Sequence, residues 1–389
     1  MKPLIYSTII IYPLLDLSRK LFGASEFFQI IFDIILILCI PLFISRFITN
    51  LLSTMFLIFS FFLLLYTIIL FLAKDGFSIE TVFTFKIYLV LCLMLFFLAF
   101  GDFGNTLNKN ILVIPVLLIS SLIFIQTILA IGYGYSFLPS LEHTFRSFGD
   151  EEISLFSGPF SSSKKCARYL LFLITIYMFK FKPSIMLLIL TGLAISLTGA
   201  RESMLLFLFS IVFLNWSRIP TIALIILLGF LILSFVNNLG TSYLLSAFSV
   251  DEIVSRLSIA IPEGTIKFQE DNLIGLGASV GNSDLDTQNR LDDLRIDITS
   301  ATFAYDSGIL RIVNEVGIIG LFFITFITFF VLLELVRKQD LLTMLLVIFF
   351  VVLLIKAHTI LLNPALLIIM LAAKLNVQFK AVYENRSYG

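Results

Sequence analysis

The residues best suited to chemistry in this sequence are four arginines. Arg146, Arg201, Arg256 and Arg311 stand in or beside the polar stretches that interrupt a strongly apolar chain. A guanidinium is planar, stays charged and grips a phosphate through two parallel hydrogen bonds, which makes it the natural ligand for phosphate or pyrophosphate. For each arginine taken singly, a plainer role stands beside that one: the side chain snorkels to the interface or pairs with a nearby acid, as Arg201 can with Glu202. Four of them together favour an anion site.

Two carboxylates accompany the arginines. Ser307, Arg311 and Glu315 follow one another at i, i+4 and i+8, so on a helix they share one face. A lone charge at the centre of a membrane span costs roughly 2.5–3.5 kcal/mol. Arg311 and Glu315 therefore either form an ion pair that seats the helix, or Glu315 serves as a functional carboxylate. Asp306 stands at the N-cap position, where a plain helix cap and a catalytic base look the same in sequence. The segment Asn272-Leu-Ile-Gly-Leu-Gly277-Ala-Ser-Val-Gly281 is a glycine-rich loop without the strand and helix context of a nucleotide motif. Its backbone N–H groups suit a lipid pyrophosphate or a sugar. Gln29, Asp33 and Gln126 are polar residues inside apolar runs. Asp33 reads either as a proton relay or as a partnered packing residue, and Lys356 and His358 divide the same way. His143 sits among charges and reads as solvated.

These side chains must be positioned by membrane helices. The 389 residues are 59% hydrophobic and 13% charged, and 43 of them are phenylalanine. Their mean hydropathy is +1.06, which is too apolar for a water-soluble domain. Long apolar runs recur without the alternating polarity of a barrel, so the fold class is all-α, a polytopic helical membrane protein read as a single integral domain. The length rule gives about twelve spans: 3–17, 27–45, 51–73, 82–101, 110–133, 166–181, 183–199, 202–215, 219–237, 308–334, 341–357 and 360–375. The first run is expected to be a retained span rather than a signal peptide, because Asp16, Arg19 and Lys20 stand where a small-residue cleavage site belongs.

Lys and Arg collect in alternate short loops, at Arg46, Lys109, Lys180 with Lys182, Arg218, Arg337 with Lys338, and Lys374 with Lys380. That side is expected to be cytoplasmic, with both termini inside, although Arg19, Lys20 and Lys74 fall on the other side. The opposite side then receives two long loops, 134–165 and 238–306. The second carries eleven acidic residues against four basic ones, and a loop of that length is expected to carry function. The chain has 26 basic and 26 acidic residues and no basic stripe, which excludes a nucleic-acid-binding character. Cys39, Cys92 and Cys166 lie in or at the edge of apolar runs, and with two histidines in the chain neither a disulfide framework nor a metal site is expected.

Four segments together resemble the family of O-antigen polymerases (Wzy-type) and O-antigen ligases, which are multispan membrane glycosyltransferases. They are Arg146-Ser-Phe-Gly149 with Ser157-Gly-Pro-Phe-Ser161, then Leu197-Thr-Gly-Ala-Arg201-Glu202, then Arg256 followed by Asn272-Leu-Ile-Gly-Leu-Gly277, and last Asp306-Ser-Gly-Ile-Leu-Arg-Ile-Val-Asn-Glu315-Val-Gly-Ile-Ile-Gly320-Leu. The likeness covers roughly residues 146–321. It implies a GT-C-type fold in the bacterial inner membrane and transfer of a glycan from undecaprenyl pyrophosphate to an acceptor on the periplasmic face. Lipid-linked donor and acceptor glycans, membrane lipids, a chain-length regulator and a flippase are the implied partners, and no cofactor or metal is implied. Ligases of this family carry a histidine in the large loop near where Tyr305 and Asp306 stand. Here that loop has no histidine, which points to the polymerase, with the ligase as alternative. Under this reading Arg146, Arg201, Arg256 and Arg311 hold pyrophosphate or glycan, and Asp306, Glu315 and Arg256 are the catalytic candidates. A flippase is the competing class, yet the hydropathy pattern lacks the two similar halves that such transporters show.

Overall fold

The computed structural model describes residues 6, 9–14, 51–100, 107–133, 144–148, 151–160, 163–181, 183–214, 273–275, 277, 308–356, 366, 369–370 and 372–373. Within them the elements are α1 (Leu51–Asp75), α2 (Ile79–Phe100), α3 (Lys109–Tyr133), strands β1 (Thr144–Phe148) and β2 (Glu151–Leu155), α4 (Ser163–Lys180), α5 (Ile185–Leu197), α6 (Arg201–Leu214), α7 (Gly308–Arg337) and α8 (Leu341–Lys356). The protein is a helical membrane protein. By length and apolarity Leu51–Asp75, Lys109–Leu129 and Glu315–Arg337 can each cross a bilayer, and four shorter apolar helices accompany them. The expected spans 27–45 and 219–237 lie outside the described residues.

Helices begin and end where local chemistry meets their free backbone groups. Ser78 caps α2, its hydroxyl accepting the Thr81 N–H at 3.1 Å, and Ser184 caps α5 by accepting the Leu187 N–H at 3.2 Å. Asp340 caps α8 through both the amide (3.1 Å) and the hydroxyl (2.9 Å) of Thr343. Each cap satisfies an N–H of the first helical turn that has no partner within the helix.

The chain divides into two compact units. The first gathers residues 1–34, 102–252 and 365–389 and holds α3 to α6 with the strand pair. Helix α4 is buried on every side from Cys166 to Met178, with Arg168 and Thr175 among the buried residues. At its start Tyr169 donates a hydrogen bond to the Ile9 carbonyl at 2.6 Å and stacks on Tyr12, which draws the helical residues 9–14 into this unit.

The expected loop 134–165 contains structure that apolar periodicity does not announce. Residues 144–148 and 151–155 pair as antiparallel strands with Arg146 opposite Ile153, and α4 begins inside the expected loop at Ser163. The chain leaving β2 is tied down by backbone bonds: Phe156 N–H to the Leu197 carbonyl at 3.2 Å, and Gly158 N–H to Gln126 Oε1 at 2.8 Å. Gly158 has φ +54 and its α-carbon faces Ile123 and Cys166, so this turn needs glycine.

The second unit gathers residues 35–101 and 253–364 and holds α1, α2, α7 and α8. Its core is phenylalanine-rich. Phe59 of α1 stacks on Phe326 of α7 with ring centroids 5.3 Å apart and touches Phe323 and Phe330, while Phe56 meets Phe96 and Phe100 of α2. At the far end of α7, the fully buried Glu334 pairs with Arg337 at 2.7 Å, and Lys338 donates to the Ala99 carbonyl at 3.0 Å, pinning α7 to the end of α2. Helix α7 is interrupted at Gly317, whose φ of 69 and ψ of −176 no helix contains.

Candidate functional site

The charged face expected on the helix after the large loop is formed. Arg311 Nε donates to Glu315 Oε1 at 2.7 Å, one turn apart on α7, and the side chains are 9% and 1% exposed. The other carboxylate oxygen, Oε2, accepts from the Tyr88 hydroxyl of α2, also at 2.7 Å. Both oxygens of Glu315 are thus engaged, as a carboxylate must be when buried among apolar helices. The pairing commits only Nε of Arg311. A guanidinium carries its remaining donors on the Nη atoms, which is the end that grips a phosphate.

The glycine-rich loop meets this helix directly. In an unbroken helix the Ile319 N–H would donate to the Glu315 carbonyl. At the Gly317 break that bond is replaced by two: Ile319 N–H donates to the Leu273 carbonyl and Gly277 N–H donates to the Glu315 carbonyl, both at 3.3 Å. Tyr66 of α1 donates its hydroxyl to the Ile274 carbonyl. All three bonds use the loop's backbone, so the loop must lie flat on the helix, and its glycines allow that. A Cβ at Gly275 would stand 2.6 Å from the Gly317 nitrogen and 2.7 Å from the Glu315 carbonyl oxygen, closer than real side chains come. Gly275 and Gly277 also have φ of 92 and 112.

Tyr66 lies nine residues before the end of α1, about 13 Å along the axis at 1.5 Å per residue. Non-helical backbone at such a depth is tolerated only when protein satisfies it, which these bonds do. Gly277 also lies against the carboxylate of Asp75, the last residue of α1, and Asp75 interacts electrostatically with Glu315. Asp75 is half-buried. Arg311, Glu315, Tyr88, Asp75 and the backbone of Leu273, Ile274, Gly275 and Gly277 thus form one polar cluster in an apolar unit.

The other expected site residues are not described within this cluster. Arg256, Asp306 and Ser307 lie outside the described residues, as do Gln29, Asp33, His143 and His358. In the first unit Arg146 occupies a strand position in β1 and Arg201 is the first residue of α6. Glu202 faces Arg168 of α4, Oε1 to Nη2 at 3.4 Å, with Arg168 1% exposed. Gln126 holds the exit from β2, as described above, so its polarity within an apolar helix has a structural use.

Sequence reasoning missed Tyr88, Tyr66, Asp75 and Arg168. Arg168 had a signal, since it belongs with Lys164 and Lys165 to a run of cations at the start of a span, on the side where cations are not expected. Asp75 had a weaker one, as a carboxylate ending an apolar run. Tyr88 and Tyr66 had none, because a tyrosine inside an apolar run marks nothing by itself. Among the described residues no three His, Cys, Asp or Glu side chains come together. No family model, curated protein or solved structure matches the chain.

Proposed function

We propose that the protein is a membrane glycosyltransferase that joins undecaprenyl-pyrophosphate-linked repeat units into a surface polysaccharide, as an O-antigen polymerase does. It works in the bacterial inner membrane with about twelve spans by the length rule, a GT-C-type fold and both termini in the cytoplasm. The observation that supports this most is the meeting of two resembling segments, Asn272 to Gly277 and Asp306 to Leu321, around the buried Arg311–Glu315 pair. The large loop and the helix after it act as one device only if they touch, and they touch through glycine backbone.

The reaction is a single displacement with inversion. The acceptor sugar hydroxyl attacks the anomeric carbon of the donor glycan and forms the new C–O bond. The bond from that carbon to the pyrophosphate oxygen breaks, and undecaprenyl pyrophosphate leaves with the electron pair. An arginine meets the charge that develops on the leaving group, with Arg311 presenting its Nη groups. The hydroxyl proton passes to a carboxylate, Asp306 or Asp75. Glu315, with both oxygens committed, holds and orients Arg311 instead of taking that proton. An aliphatic groove among the phenylalanine-rich helices would hold the polyprenyl tail.

The ligase remains the alternative within the same chemistry. The transporter class gains one observation, the helix broken at Gly317, since transporters bind substrates at such breaks. The surface-polysaccharide ladder of a deletion strain separates the three. Single repeat units on a normal core support the polymerase, whereas loss of all side chains, long and short, supports the ligase or the flippase. A ladder of wild-type length refutes all of them.

A further inference from the structure

We infer that Gly275, Gly277 and Gly317 are positioning residues: docking of the backbone of Leu273, Ile274, Gly275 and Gly277 into the break in α7 sets the direction in which Arg311 and Glu315 point. The inference rests on the proposed polymerase reading for what the site binds, and on the hydrogen bonds for how the site is held. The break leaves the Glu315 carbonyl and the Ile319 N–H without each other, and the loop supplies a partner to each. Without the loop both groups would be unpaired in an apolar surrounding, and the chain's way to satisfy them is to return Gly317 to helical angles and restore the Ile319 to Glu315 bond. A continuous helix would place residues 308–316 at a different rotation relative to 318–337. Arg311 and Glu315 lie on the turning side of that joint, less than two turns from Gly317. Tyr88 lies on another helix, so rotation would take Glu315 Oε2 away from the phenol that holds it at 2.7 Å. The state of the loop and the aim of the cation are therefore the same variable.

Neither end of this joint tolerates a side chain. At Gly275 a Cβ collides with backbone atoms of Glu315, Val316 and Gly317, and at Gly317 it would stand 2.5 Å from the Leu273 carbonyl oxygen. The angles of Gly317 belong to a region that essentially only glycine occupies. Leu273 and Ile274, in contrast, contribute carbonyls while their side chains are 57% and 47% exposed. The docked segment is thus specified by backbone and by absent side chains.

The test uses the full chain in lipid nanodiscs, with two readouts: hydrogen–deuterium exchange of the peptide containing Ile319, and steady-state polymer synthesis from lipid-linked repeat units. Gly275→Ala and Gly317→Ala should each alter exchange at Ile319 and raise KM for the pyrophosphate donor, with kcat/KM falling on the order of a hundredfold, the scale of an ångström-sized misplacement. Tyr66→Phe, which removes only the hydroxyl on the Ile274 carbonyl, should do the same more weakly, and it serves if the alanine variants do not fold. Leu51→Ala, at the 72%-exposed first residue of α1 and outside the site, should leave both readouts at wild type. A lowered active fraction with unchanged KM in these variants would overturn the inference, as would unchanged exchange at Ile319. If the wild-type chain makes no polymer, the polymerase reading fails by itself, while the exchange result still decides whether the loop holds the break.

Discussion

Replacing Glu315 is the most informative perturbation of the site, because three substitutions remove different parts of one interaction. Glu315→Ala deletes a carboxylate that is 1% exposed and leaves the 9%-exposed Arg311 without its counter-charge. Breaking a buried ion pair from one side costs about 3–5 kcal/mol. Glu315→Gln keeps the shape. Its carbonyl can accept from Arg311 Nε and its amide can donate to the Tyr88 oxygen, since a phenol also accepts. What it loses is the counter-charge of Arg311, so it carries part of the cost of a broken buried ion pair, softened relative to Ala by the two hydrogen bonds it keeps. Arg311→Ala together with Glu315→Ala removes both charges and leaves a cavity without an unpaired ion, so its destabilisation should fall at least about 1 kcal/mol short of the sum of the single changes. The assay is the unfolding midpoint of the purified protein in a graded denaturing-detergent titration, run beside polymer synthesis. The expected stability order is wild type, then Gln, then Ala, while polymer is lost wherever Arg311 is changed. The reasoning is refuted if the Gln and Ala variants are equally stable, or if the double variant equals the sum of its parts. Either result would mean that the pair is not the buried unit its geometry describes.

Two further perturbations test the first unit. Glu202→Ala should destabilise by roughly 1.5–3 kcal/mol, the range for a hydrogen bond to a charged group, because Arg168 loses the carboxylate 3.4 Å away. Glu202→Gln should be milder in the same titration, and a reversed order would refute the ion-pair reading. Gln126→Ala removes the acceptor of the Gly158 N–H and should cost about 1–3 kcal/mol. Gln126→Glu retains an acceptor oxygen, so its amide exchange at Gly158 should stay slower than in the alanine variant.

Much of the helical frame is determined by sequence alone. Hydropathy and charged boundaries place spans at 51–73, 110–133 and 341–357, and the helices run Leu51–Asp75, Lys109–Tyr133 and Leu341–Lys356. That agreement has a physical basis: in lipid each helix satisfies its own backbone, so its limits follow from local polarity. The i, i+4 spacing that puts Arg311 beside Glu315 is equally local, and the structure contains that pair. The rest is decided between distant segments. Tyr88 reaches Glu315 across a separation of 227 residues and Tyr66 reaches Ile274 across 208, and no periodicity carries such information. Glu202 lies next to Arg201 in the chain, yet the packing of α4 against α6 puts Arg168 in front of it. The glycines of 272–277 read in sequence as a loop whose N–H groups suit a lipid pyrophosphate or a sugar, and Gly317 falls inside the expected span 308–334. Only the tertiary structure joins them, because a helix gives up an internal hydrogen bond in an apolar medium only where another part of the chain arrives to replace it.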